Sequence, residues 1–220
     1  MANDEGGMDA LRALGARTVP VVAKGDRYVF AQSLKVVAEF VGLAGDFGPA
    51  LAPPELISRL DRILAGVQRF VRQLPEGELE TKLKNRNRTY RQLGHHVFRI
   101  PEAFVDAVGE GRQLTYEALT APPPENIRSG YDIAEYGSVV RQKVRNWWDS
   151  TSGGGSLPQM VDTYYGQQPL HEVLERTTWH AGQHARQLMS ILEDLGIAAD
   201  QPLTEADFAG LPMPQNVWDD

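Results

Sequence analysis

The chain has 220 residues, 42% hydrophobic and 23% charged, which is enough apolar side chain to bury a core without disulfides or obligatory oligomerisation. With 22 Lys plus Arg against 29 Asp plus Glu the formal charge is -7, and the basic residues Lys82, Lys84, Arg86 and Arg88 read as a solvated loop; this argues against nucleic acid as a partner, because phosphate binding needs a concentrated positive surface. Cysteine is absent, which removes disulfide scaffolds, thiolate metal sites and a thiol nucleophile, so any metal must be held by nitrogen and oxygen.

Residues 8–45 read as helix, strand, strand, helix. A helical run over 8–14 ends at Gly15, and two β-rich segments, 18–23 and 28–31, are joined by Lys24-Gly25-Asp26 as a hairpin turn. The segment 34–43 has apolar residues at 34, 36, 37, 40, 41 and 43, with Ser33 placed to cap its first turn. Residues 1–45 are therefore expected to form a small α/β appendage, and 46–54, in a stretch rich in Gly, Ala and Pro, a linker.

Long helices follow. Leu56, Leu60, Ile63, Val67, Phe70 and Leu74 recur in alternating steps of four and three, with Ile57, Leu64 and Val71 widening the stripe. A second helix over 89–108 has its stripe at Leu93, Val97, Ile100, Phe104 and Val108, and 109–130 reads as a long connection across one end. A third helix is expected over 133–148, before the glycine-rich loop 152–156. The fourth, 169–195, ends at Gly196 and carries a seam of Leu170, Leu174, Thr177, Ala181, His184, Leu188, Ile191 and Leu195. The fold class is mainly α: a four-helix up-down bundle over 55–196 with one long crossover. A tail, 197–220, is expected to pack over the bundle end without chemistry of its own, with Thr204-Glu205-Ala206-Asp207 opening one short helix. No basic start precedes an apolar run near the N-terminus and no stretch reaches the length of a membrane span, which predicts a cytoplasmic protein with no membrane partner.

Histidines occur at 95, 96, 171, 180 and 184. His184 falls on the apolar seam of the last helix, with His180 about 40° away around the axis. His96 lies between Leu93 and Ile100 on the inward stripe of the second helix, while His95 is turned about 100° from it. Spacing alone leaves two readings. Each ring can be a core histidine satisfied by a hydrogen bond, or the three can share a metal, since unmet imidazole nitrogens cost about 1–3 kcal/mol each. Three imidazoles would leave a fourth coordination position open for water or substrate.

The segments Thr89-Tyr90-Arg91-Gln92-Leu93-Gly94-His95-His96-Val97 and His180-Ala181-Gly182-Gln183-His184-Ala185-Arg186-Gln187-Leu188 resemble the two signature stretches of the DinB-like (YfiT-like) bundle family. The first has the form T-x-x-x-L-x-x-H and the second H-x-x-x-H-x-x-Q. The resemblance covers about residues 53–196 and departs from the family at Ala185 and Arg186, where many members have Arg then Gly. It implies metal ligands at His96, His180 and His184, with His95 a bystander and Gln187 matching the family's glutamine; Gln183 or Gln187 is a candidate to orient ligands or substrate. It also implies a divalent ion, zinc or nickel foremost, and often a homodimer. Several relatives are transferases or isomerases using a small thiol such as glutathione.

At the N-terminus, Arg17-Thr18-Val19-Pro20-Val21-Val22 followed by residues 25–34 resembles the second half of a glutaredoxin, without its first strand or active-site cysteine. The resemblance implies thiol binding at Val19, Pro20, Gln32 and Ser33: an extended backbone beside the thiol peptide and a helix N-terminus for its carboxylate. The other reading of this segment is a packing or dimer contact. Two strands alone leave an exposed edge that wants covering.

The expected function is thus a metal-dependent transferase or isomerase acting on a small molecule with a small thiol. Two alternatives stand beside it: a non-catalytic metal- or thiol-binding protein, and a metal-dependent hydrolase that needs no thiol. Tyr164, Tyr165 and Trp179 are candidates to line the cavity, although core packing is the simpler role for each aromatic.

Overall fold

In a computed structural model, residues 5–16, 20–45, 47–84, 86–152 and 159–218 are described, and the chain divides into two units, Met1–Pro49 and Ala50–Asp220. It is mainly helical, with two small two-stranded sheets.

The first unit runs α1 (Glu5–Ala13), β1 (Val21–Lys24), β2 (Arg27–Phe30) and α2 (Leu34–Val41). β1 and β2 pair antiparallel from Val21↔Phe30 to Lys24↔Arg27, so that Gly25 and Asp26 alone make the turn. Gly25 takes a φ of +64°, open to glycine at no steric cost. Ser33 caps α2, its Oγ accepting from the Val36 amide at 3.3 Å. The expected strand over 18–23 is present from Val21; Thr18 and Val19 lie outside the described residues.

The second unit contains α3 (Pro53–Gln73), a 3-10 turn (Glu76–Glu78), α4 (Tyr90–Glu110), α5 (Tyr116–Thr120), α6 (Gly130–Ser152), β3 (Met160–Thr163), β4 (Gly166–Pro169), α7 (Leu170–Asp194) and α8 (Glu205–Phe208). Local signals set the helix ends. Thr89 and Gln92 form a reciprocal capping box at α4, whose last turn closes on Gly111 at φ +63°. Ser129 and Asp132 exchange hydrogen bonds at the start of α6, Ser129 N to Asp132 Oδ2 at 2.8 Å and Asp132 N to Ser129 Oγ at 3.1 Å. Pro53 opens α3 where its missing N–H costs nothing.

α3 and α4 each pack along both α6 and α7 around one core. Phe70, Phe98, Phe104, Leu60, Leu93, Ile133 and Leu174 are among its fully buried side chains. The close approach is set by absent Cβ atoms: one at Gly137 would meet the Phe98 ring at 2.5 Å, and one at Gly130 would meet the Val71 carbonyl oxygen at 2.0 Å.

Three features differ from the sequence-based expectation. The connection 109–130 contains α5 and is tied down by Leu114, which bridges Thr163 in parallel through Leu114 N to Asp162 O at 2.8 Å and Tyr164 N to Leu114 O at 3.0 Å. The β3–β4 hairpin, paired from Met160↔Pro169 to Thr163↔Gly166, was not expected. The tail does not simply cover an end. It follows α3, where Arg69 donates to the Asp200 and Gln201 carbonyls and Gln73 to the Ala198 carbonyl, and then runs beside α7. No helix among the described residues is long and apolar enough to cross a membrane.

Candidate metal centre

α4 supplies His96, and α7 supplies His180 and His184 one turn apart. One ligating nitrogen from each lies within 4.8 Å of the other two. The ring centroids are 5.9 Å apart for His96 and His180, 5.1 Å for His96 and His184, and 4.7 Å for His180 and His184. Around a tetrahedral ion with bonds of about 2.0–2.1 Å, three nitrogens stand about 3.3 Å apart, so the rings need close by no more than roughly 1.5 Å. Small rotations of the side chains suffice.

The electrostatics suit neutral imidazole, the ligating form. Burial holds His96 and His180 well below the ordinary histidine pKa, and the neighbouring His184 pushes both the same way. Arg176 adds to the effect on His180, and Arg88 to that on both rings. No carboxylate joins the cluster among the described residues.

Two of the three rings are oriented from behind. The His96 ring bonds the backbone of Leu119, at the end of α5. His184 Nδ1 lies 2.7 Å from Gln187 Oε1, and Gln187 Nε2 donates to the Val217 carbonyl at 3.0 Å. Such outer partners fix the tautomer and tilt of metal-ligating histidines. His180 stacks on Trp179 at 5.5 Å, and its Nδ1 is buried with no hydrogen-bond partner among the described residues. An imidazole nitrogen left in that state costs about 1–3 kcal/mol, which an ion coordinated at that nitrogen would offset. The donor set and this orphaned nitrogen fit a first-row divalent ion.

The other sequence candidates are placed as follows. His95 is 2% exposed and stacks on Tyr136 at 4.9 Å, whose hydroxyl donates to Glu102 at 2.6 Å. His171 Nε2 lies 2.7 Å from the Leu51 carbonyl oxygen. Of the two glutamines, Gln187 touches His184, whereas Gln183 is occupied by the tail: it donates to Asn216 and Val217 and accepts from Arg186. Tyr164 and Tyr165 pack edge to face at 4.9 Å on the β3–β4 turn, with the Arg176 guanidinium 5.5 Å over the Tyr165 ring. Pro20, Gln32 and Ser33 lie in the first unit, where Ala31 N donates to the Pro20 carbonyl at 3.0 Å and brings the two stretches together. Val19 lies outside the described residues.

Arg176 and Arg88 were missed. Arg176 sits four residues before His180, so it continues the H-x-x-x-H row by one turn, a signal the spacing already carried. In the sequence Arg88 reads as part of the solvated basic loop, yet it is half-buried while Lys82, Lys84 and Arg86 are exposed. No family model matches this chain, and no curated protein matches it.

Proposed function

We propose that this chain is a divalent-metal protein of the DinB-like four-helix bundle class, holding zinc or nickel at His96, His180 and His184 and acting as a transferase or isomerase that uses a small thiol such as glutathione. The observation that carries the proposal is the convergence of three imidazole nitrogens within 4.8 Å from two separate stretches of chain. α3, α4, α6 and α7 are the helices of the proposed bundle, and the spacing of the two histidine segments supports the family.

An ion held by these three neutral nitrogens would keep its charge and would supply the Lewis acidity that lowers the pKa of a thiol or water. The chain's own residues do the rest. The Leu119 backbone and the Gln187 amide hold two rings in place, and burial favours the unprotonated form of His96 and His180. Trp179 offers an apolar wall beside His180. Arg88 and Arg176 both place positive charge near His180, which suits a carboxylate-bearing thiol.

Steady-state assays of zinc- and nickel-loaded protein with glutathione and a panel of electrophilic acceptors test the proposal. Turnover that requires both metal and thiol is expected. Metal-dependent turnover that persists without thiol would replace it with a hydrolase, and inertness of a loaded centre that never binds thiol would leave a non-catalytic metal protein.

A further inference from the structure

We propose that the end of the tail, residues 214–218, is a positioning element for the His184 ring and acts through Gln187. The proposal deepens the reading of the site above and rests on it for its metal-affinity arm only. A carboxamide has one accepting and one donating end, and a backbone carbonyl can only accept. The Val217 carbonyl, 3.0 Å from Gln187 Nε2, therefore decides which end of the amide turns toward the imidazole. With Oε1 facing it at 2.7 Å, His184 carries its proton on Nδ1 and its lone pair on Nε2. A single tautomer is thereby selected before any ligand arrives.

The tail is held for this purpose at every residue. Arg186 donates to the Pro214 carbonyl at 2.7 Å and to the Gln215 carbonyl at 3.1 Å. Gln183 Nε2 donates to the Asn216 and Val217 carbonyls at 3.0 and 2.7 Å, and its Oε1 accepts from Arg186 at 2.9 Å. The Trp218 indole N–H donates to Ser190 Oγ at 3.2 Å. Four consecutive carbonyls are thus taken by α7 side chains at 183, 186 and 187, with 190 continuing the row in the three-and-four spacing of one helix face. Gly182, between the two ligands of α7, lets the chain come close: a Cβ there would stand 3.3 Å from Met213 Cε and from Phe208 Cδ1. Without the tail, water would satisfy Gln187 from either end, and the imidazole would lose its fixed partner.

The test compares the parent, a chain ended after Met213, and Arg186→Met, which removes the anchors at Pro214 and Gln215. Ring 15N shifts of His184 in metal-free protein report the tautomer, and chelator competition reports zinc affinity. The parent is expected to show the Nδ1–H tautomer alone. The shortened chain is expected to show mixed tautomers and zinc binding about 10–100-fold weaker, the usual effect of losing an outer partner of a ligating histidine. Arg186→Met moves both readouts the same way by a smaller factor, and it decides the matter if the shortened chain does not fold. A folded variant set with the parent's tautomer and zinc affinity overturns the proposal. Zinc binding that survives His184→Ala undiminished would instead remove the triad reading, while the tautomer comparison would still judge the tail.

Discussion

The rings of His96 and His184, carried by different helices, stand 5.1 Å apart at an interplanar angle of 62°, whereas the adjacent His95 turns away to stack on Tyr136. Neighbours in sequence are thus separated in placement by helix geometry. His96→Ala is expected to weaken zinc binding beyond the roughly 10–100-fold typical of losing an outer partner, and His95→Ala to change it by less than that range. Chelator competition on both variants checks this, and equal losses would contradict it.

Acid should destabilise the metal-free protein earlier than carboxylate titration alone would. Burial pushes His95 down to about 4, with Arg99 acting in the same direction and Glu102 opposing, and holds His96 and His180 well below the usual range. Each folded pKa is below the unfolded value of about 6.5, so between the two the unfolded chain binds more protons and stability falls as the pH is lowered. For His95 that window runs from about 6.5 to about 4 and involves on the order of 3 kcal/mol. Urea midpoints of chelated protein at pH 7.5, 6 and 5 should decline in that order. His95→Phe, which keeps a ring beside Tyr136, should flatten part of the slope.

What the sequence made legible was whatever is written in periodicity. α3, α4 and α7 are long and amphipathic, and the seams through Leu93, Ile100, Leu188 and Ile191 point His96 and His184 inward before any coordinates exist. The expected helix over 133–148 falls short of α6 at both ends, although Ser129 and Asp132 already spell a cap at its start. The β4 stretch Gly166-Gln167-Gln168-Pro169 contains no strand former; it pairs because the turn at Tyr164 and Tyr165 folds it back on β3, whose Thr163 is bridged in turn by Leu114. The tail's role was invisible for another reason. Its working atoms are the carbonyls of residues 214–217, which every sequence possesses.

Gly130 is expected to tolerate no side chain. A Cβ would lie 2.0 Å from the Val71 carbonyl oxygen, a backbone atom that moves only if α3 and α6 part. Gly130→Ala should cost about 3 kcal/mol or more by urea denaturation, the upper end of overpacking effects. An unchanged midpoint would show that the helices do not approach so closely.

Asp61 on α3 joins α6 through Arg141, whose Nε and one Nη each lie 2.9 Å from a carboxylate oxygen, and through Arg145 at 2.9 Å. Burial raises the pKa of Asp61, but the two guanidinium groups outweigh it and hold the carboxyl below its ordinary value. The stabilisation is present above the unfolded pKa of about 3.8 and is lost as pH falls through the lower folded value. At pH 7, Asp61→Asn should destabilise by on the order of 2 kcal/mol, measured by denaturant titration. Arg141→Met should not add the same loss again, because the two residues share one interaction.

The most direct measurement is elemental analysis of protein purified without added metal, set beside the His184→Ala variant prepared in parallel. Near-stoichiometric zinc or nickel in the parent and a substantial loss in the variant are predicted. A folded parent that carries no first-row metal and takes up none on titration, or a variant that retains the full complement, would contradict a centre built on His96, His180 and His184.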